Sequence, residues 1–334
     1  MPGWDESEFD VSVIIPMYHA ETTLTRCVES IAKQGVREIL LIDDGSADGT
    51  VDVAEDLARR YPTVRVLRNP HEGVSAARNR GIREARGTWI LFLDADDTLA
   101  EKGAEALWAG IREETDACLG GILRGNERPF PEQQEPLYLS GHKLMDYVLA
   151  EPTDRLTVHG WVFRRSVCME NDVFFREDLK LGEDSEWVLR MLASCREAAF
   201  VEAPVYRYTL SGESTIHRWK TGQTGEYLKT LKAISETEAA RETNWPIYVL
   251  VTLLLILTHD TFHPGNPAKL KAKLSEAGRL RHLPVFDEAL TKADLSNAGR
   301  AKRMVLQWMK AGRYRLVYLA VRIRQWQNAR RAEG

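Results

Sequence analysis

Four short apolar runs, residues 11–15, 39–42, 64–67 and 89–93, are separated by stretches whose apolar residues recur at helical spacing. This alternation constrains the fold more than any other feature. The first run ends at Pro16, and Leu24, Cys27, Val28 and Ile31 then share one helical face. Val51, Ala54 and Leu57 follow the second run, and a helical stretch over residues 75–84 follows the third. The runs at 11–15, 39–42 and 89–93 read as buried strands, and the run at 64–67, broken by Arg65, as a further strand. The order βαβαβαβ predicts a mostly parallel sheet covered by helices.

Beyond residue 97 the pattern loosens. A helix bearing Leu107, Trp108 and Ile111 and a strand near residues 117–122 lead into a polar, Pro-rich stretch over residues 124–136, expected to be a mobile segment or lid. A short helix with Leu144, Tyr147 and Val148 follows, then extended pieces over residues 158–163 and a helix carrying Trp187, Val188, Met191 and Leu192. Among residues 247–257 only Thr252 is neither apolar nor aromatic. Eleven residues are too few to span a bilayer, so a buried helix packing a C-terminal extension onto the body of the protein is expected. From Arg300 to Arg331 the chain has ten Lys or Arg and no acid, interleaved with Trp308, Tyr314, Tyr318 and Trp326. Two readings of this tail stay open: contact with an anionic membrane surface, or a solvated helical face.

A chain of 334 residues, 44% hydrophobic and 28% charged, is globular and large enough for two domains, or one with an extension. Its net charge of −4, and the lack of any base-reading motif beside the basic tail, argue against a nucleic-acid partner. Cys27, Cys118, Cys168 and Cys195 are widely spaced with no Cys-x-x-Cys pair, which suggests neither a zinc ribbon nor a disulfide framework. Residues 1–10 are acidic and lack the apolar stretch of a signal peptide. The expected location is the cytoplasm, and whether the tail visits the inner face of the membrane stays open. A homo-oligomer stays open.

Acidic clusters stand where the strands run out: Asp43-Asp44-Gly45-Ser46-Ala47-Asp48-Gly49-Thr50, then Asp94-Ala95-Asp96-Asp97, with Glu183-Asp184 further on. Ligands of open α/β sheets collect at the carboxyl ends of strands. Carboxylates crowded there repel one another and a phosphate unless a hard divalent cation, Mg2+ or Mn2+, bridges them. The first cluster is also a turn able to cap a helix at Val51, but a cap needs one Asp and here three surround one turn. In an extended segment Asp94 and Asp96 point the same way and Asp97 points elsewhere, with an N-cap before Glu101 as its alternative role.

Six segments taken in order carry a family resemblance. They are Val-Ser-Val-Ile-Ile-Pro-Met-Tyr (residues 11–18), Asp-Asp-Gly-Ser-Ala-Asp-Gly-Thr (43–50), Gly-Val-Ser-Ala-Ala-Arg-Asn-Arg-Gly (73–81), Phe-Leu-Asp-Ala-Asp-Asp (92–97), Gly-Glu-Asp-Ser-Glu-Trp (182–187) and Pro-Val-Tyr-Arg-Tyr (204–208). The chain resembles family 2 glycosyltransferases of the GT-A fold, of the bacterial polysaccharide type, over about residues 11–218. It departs from them at His19, where the family commonly has Asn.

The resemblance implies a Rossmann-like α/β domain whose residues 1–100 bind a nucleotide sugar and whose residues 101–218 bind the acceptor and catalyse, with residues 219–334 a helical extension. It places Pro16, Tyr18, Asp43, Asp44, Arg78, Asp94, Ala95 and Asp96 at the nucleotide sugar, Arg78 pairing with Asp94 or with phosphate. It assigns the metal to Asp96, Asp97 and His217, the acceptor to Trp161 and Glu183, and the general base to Asp184. For Trp161, a place in the core is the competing reading. The implied reaction is inverting transfer from a nucleotide sugar, with a UDP-sugar expected, to a glycan or lipid-linked glycan, aided by Mn2+ or Mg2+. A sugar-phosphate nucleotidyltransferase and a non-catalytic nucleotide-sugar binder are the alternatives. A zincin reading of His259 and His263 fails for want of a Glu after the first His.

Overall fold

A computed structural model describes residues 9–124, 135–209 and 219–333. The lid expected over residues 124–136 and the ligand expected at His217 therefore fall, Arg124, Glu135 and Pro136 apart, outside the described residues. The chain divides into two compact units: Met1–Leu144, Val158–Asp178 and Glu183–Thr209 form one, and Met145–Thr157, Leu179–Gly182 and Leu210–Gly334 the other.

The first unit is built on a nine-stranded sheet. Its strands are β1 (Val11–Met17), β2 (Glu38–Asp43), β3 (Val64–Arg68), β4 (Trp89–Phe92), β5 (Thr98–Leu99), β6 (Thr115–Arg124), β7 (Leu137–Ser140), β8 (Trp161–Arg164) and β9 (Glu197–Tyr208). They lie in the order β3-β2-β1-β4-β8-β6-β9-β5, with β7 also on β9. The four apolar runs are β1 to β4 and pair in parallel. Beyond β4 the sheet is mixed: β8 is antiparallel to β4 and β6, while β9 runs parallel to β6 and antiparallel to β5 and β7. A sheet whose first four strands run parallel, with flanking helices and a helical C-terminal region, is the α/β class expected from the sequence.

The local reasons are plain. In the helix Leu24–Ile31 the residues at helical spacing, Leu24, Cys27, Val28 and Ile31, are all fully buried. Each large aliphatic side chain so placed contributes about 1.5–3 kcal/mol. Every residue of β2 is buried, even Glu38, which accepts a hydrogen bond from Ser12 Oγ at 2.7 Å and pairs with Arg65 at 2.7 Å. The helix Val74–Glu84 lies so close to β1 that a Cβ on Gly81 would meet Ile14 Cγ2 at 2.3 Å. That close approach brings Arg78, one turn earlier, over the sheet.

The second unit is helical. Its helix Trp245–Ile256 is apolar all round and buried, packing against Pro284–Lys292 and Gln223–Ser235. No helix among the described residues is long and apolar enough to cross a membrane.

Candidate active site

The carboxyl ends of β1, β2 and β4 are neighbours, and β1 is where the strand order reverses, β2 and β3 lying on one side and β4 on the other. That switch point opens a crevice above the sheet. Pro16 and Met17 close β1 and deliver Tyr18 to the crevice, 48% exposed. Its ring stacks on His19 at 4.0 Å and on His71 at 4.6 Å. The His19 backbone sits at φ 51, and its amide donates to Ser46 Oγ at 3.1 Å.

Asp43 and Asp44 are nearly inaccessible, at 3% and 5%. Asp43 accepts from the backbone N–H groups of Gly45 and Ser46, both at 3.2 Å. Asp44 accepts from the N–H groups of Glu72 and Gly73, each at 2.9 Å, and its Oδ2 lies 3.2 Å from His71 Nδ1. The two carboxylates thus lock the loop after β2 and draw residues 71–73 onto it, beside the Tyr18 ring. Neither caps the following helix. Gly49 stands at the N-cap, and Asp48 just ahead of it accepts from the Thr50 hydroxyl at 2.6 Å and its N–H at 3.2 Å.

The second acidic cluster departs from the expected geometry. After β4 the chain turns, with Asp97 N donating to Asp94 O at 3.1 Å, so the segment is not extended. Asp97 therefore does not point elsewhere: one carboxylate oxygen from each of Asp94, Asp96 and Asp97 lies within 4.8 Å of the others. Nor does Asp97 cap a helix, because β5 follows it. Its Oδ2 accepts from the Tyr206 hydroxyl at 2.5 Å and its Oδ1 from Thr209 N at 2.6 Å. Burial pushes its carboxyl up to about 6, outweighing those two hydrogen bonds. Ala95 is the buried spacer between the acids.

Arg78 ties this cluster to the third. It is 3% exposed, with Nη2 3.3 Å from Asp94 Oδ1 and Nη1 2.6 Å from Asp184 Oδ1 and 3.3 Å from Glu183 Oε1. The expected Arg78–Asp94 pair is present. On the other side of Asp94, His159 Nε2 lies 3.0 Å from Oδ2. Burial would raise the Asp94 carboxyl, but His159 and Arg78 together hold it well below the ordinary carboxylate range. Burial likewise opposes the charge on His159, and Asp94 more than offsets it, so the imidazole is raised. Glu183 and Asp184 occupy the first turn of the helix Glu183–Ser194, where the helix dipole favours acids. Burial, and then the Asp184 charge, raise Glu183.

Asp96 differs from its neighbours. Its carboxylate is taken up by no other side chain among the described residues, and burial followed by the Asp94 charge raises it. An acid with raised affinity for a proton and an available oxygen is suited to a cation. The whole donor set is hard oxygen of the kind Mg2+ and Mn2+ prefer. The residues present thus fit a divalent ion, Asp96 best and Asp97 least directly.

Trp161 corrects an expectation. It is fully buried and stacks on Phe163 at 5.3 Å, so it belongs to the core and offers no ring to an acceptor. His159, two residues earlier, reaches the site instead. Tyr206 was equally hidden in the sequence: its hydroxyl holds Asp97, the amide of Asp94 lies 3.4 Å from it, and its ring packs 4.7 Å from His159. Only its position in the 204–208 segment hinted at a role.

Residues 12–171 match the model of glycosyl transferase family 2. EpsH of Bacillus subtilis (strain 168), named a glycosyltransferase, is 27% identical over 326 residues, covering 92% of each chain. The structure of S. aureus TarS 1–349 in complex with UDP-GlcNAc superposes with a TM-score of 0.61 at 18% identity, over 95% of this chain and 92% of that one. PcManGT, a mannosyltransferase from Pyrobaculum calidifontis solved with GDP-Man and Mn2+, gives a TM-score of 0.55 at 18% identity, over 96% and 87%. Over residues 12–171 the chain is thus similar to the family 2 glycosyltransferases, and it has the GT-A fold of these neighbours.

Proposed function

We propose that this glycosyltransferase moves a sugar, with inversion, from a UDP-sugar to a hydroxyl of a glycan or lipid-linked glycan in surface polysaccharide synthesis. The observation that carries the reading is the convergence of Asp94, Asp96 and Asp97, joined through buried Arg78 to Asp184. Residues 1–100 form the donor half, residues 101–218 the acceptor and catalytic half, and residues 219–334 a helical extension. The exposed Tyr18 ring, backed by His19 and His71, is a stacking surface for the base, beside the loop that Asp43 and Asp44 fix. Asp94, oriented from both sides, faces the ribose.

Asp96 would hold Mn2+ or Mg2+, with Asp97 supporting the turn that presents it and His217 as a further ligand. The ion, when bound, neutralises charge growing on the diphosphate leaving group. Asp184 takes the proton from the acceptor hydroxyl as that oxygen bonds to the anomeric carbon and the bond from that carbon to the diphosphate oxygen breaks. Arg78 fixes the Asp184 carboxylate for this step, and Glu183 lies beside it on the acceptor side. A single displacement with the base opposite the leaving group inverts the anomeric centre, so an α-linked donor gives a β-linked product.

The test uses the purified chain with a panel of sugar nucleotides and Mn2+, following release of the nucleoside diphosphate. One uridine donor is expected to be hydrolysed slowly. Asp184→Asn should lose about 10²–10⁴-fold in transfer while still binding donor, as expected for removal of a general base. Full activity in Asp184→Asn would reject the base assignment, and turnover dependent on pyrophosphate would point to the nucleotidyltransferase reading.

A further inference from the structure

The last helix, Tyr314–Glu333, is apolar on two opposite faces. Tyr314, Val317 and Val321 are buried against their own unit, where Tyr318 meets Phe262 edge-on at 5.2 Å and Gln325 Nε2 donates to Thr258 O at 3.1 Å. On the far side Leu316, Leu319, Ile323 and Trp326 are 38%, 55%, 47% and 55% exposed. Spacings of three, four and three residues place these four on one stripe along the helix. Arg315 and Arg322 border one edge of the stripe, and Arg313 and Arg324 the other, at the same helical period. Isolated exposed apolar residues are ordinary; a continuous row of four large ones rimmed by arginines is not.

At its N-terminal end the stripe adjoins a groove of about 560 Å³ lined by Leu274, Gly278, Arg313, Tyr314, Arg315 and Leu316. Among the described residues, the Tyr314 hydroxyl in its wall is buried without a hydrogen-bond partner. An apolar groove rimmed by two guanidinium groups suits an anionic, amphiphilic occupant.

We propose that the outer face of this helix seats in the surface of an anionic lipid bilayer. Leu316, Leu319, Ile323 and Trp326 enter the boundary of the acyl chains, and the bordering arginines meet headgroup phosphates. The same three-four spacing would suit a helix pair between two copies of the chain. Charge decides against that occupant: residues 300–332 contain no acid, so a second copy brings arginines toward arginines with nothing to answer them. Anionic lipid supplies the missing countercharge. This inference is independent of the transfer chemistry.

The full chain is sedimented with vesicles of phosphatidylcholine alone and of phosphatidylcholine with phosphatidylglycerol at 3:1. Binding to the anionic vesicles is expected to be at least about tenfold stronger, because each basic residue near such a surface adds roughly a fivefold gain. The gain should shrink as salt is raised from 0.1 M to 0.5 M, conditions chosen for their effect on screening (about 10 Å and 4–5 Å Debye lengths). Leu319→Gln with Ile323→Gln, both at exposed positions, should cut vesicle binding about tenfold or more with an unchanged melting curve. The proposal is overturned by no binding to anionic vesicles, by equal binding of the double variant, or by light scattering that shows a dimer which the double variant dissociates.

Discussion

Replacing Arg78 by Met keeps the side chain's length and removes its charge, leaving Asp94, Glu183 and Asp184 to face one another. Arg78 has a side-chain exposure of 4%, against 16% for Glu183, 20% for Asp184 and 33% for Asp94. Removing one partner of a buried ion pair costs about 3–5 kcal/mol. Asp94 is a third exposed and partly screened, so the lower figure, about 3 kcal/mol, is the expected cost at pH 7.5. For a unit of this size that corresponds to a fall in Tm of about 6–12 °C. The loss depends on pH in a definite direction. Asp94 is depressed in the folded protein, so it contributes stability above its unfolded value that is lost as pH falls through the folded one. Without Arg78 that depression shrinks, and the three acids relieve their repulsion by taking up protons. The gap in Tm between wild type and Arg78→Met should therefore narrow from pH 7.5 to pH 5. Arg78→Lys should fall between the two, because one ammonium cannot reach Asp94 and Asp184 as the two guanidinium nitrogens do. Melting followed by circular dichroism over this pH range decides the matter. A variant that melts within 2 °C of wild type at pH 7.5, where at least about 6 °C is expected, or a gap that stays constant with pH, would refute the idea that Arg78 compensates this cluster.

Asp96→Asn should leave metal-free stability unchanged or slightly higher, since it relieves a raised carboxylate that no described side chain answers, yet abolish the extra thermal shift given by Mn2+ with UDP; a retained shift would move the ligand role to another acid. Tyr206→Phe strips a hydrogen bond from the buried Asp97 carboxylate and should cost about 1–3 kcal/mol in urea unfolding. Gly45→Ala, at φ +79 with a new Cβ 3.1 Å from His71 Cβ, should destabilise by about 1–2 kcal/mol and weaken UDP binding in calorimetry by loosening the loop beside Tyr18.

The half of the site on β1, β2 and β4 was legible because its signals are local. A buried parallel strand writes itself as an unbroken apolar run, and the acids at its end follow immediately in sequence. The pairing of Arg78 with Asp94 came instead from the family resemblance, which left phosphate open as the other partner. The mixed half of the sheet left weaker traces. β9 contains Glu197, Glu202 and Pro204, which interrupt any apolar run, and its pairing with β6 carries register shifts. Asp97 was misdirected because alternation applies only while a chain stays extended, and the turn from Asp94 to Asp97 ends that rule. His159 and Trp161 exchanged places for a related reason. Gly160, at φ 76, turns the chain just before β8, so the larger aromatic enters the core and the imidazole reaches the acids. No local pattern reveals which of two neighbouring rings a tertiary turn will expose.

Strand β9 hydrogen-bonds to three others, β5, β6 and β7, and its Tyr206 grips an acid 109 residues earlier. On a ribosome adding roughly 5–20 residues per second, that separation amounts to about 5–20 seconds between the emergence of Asp97 and of its partner. Throughout that interval the nascent chain carries its acidic turn without the hydroxyl that pins it. The pocket is therefore among the last parts of the first unit to be completed during synthesis, and a ribosome that stalls before codon 206 releases a product whose sheet is largely present but whose chemistry is not.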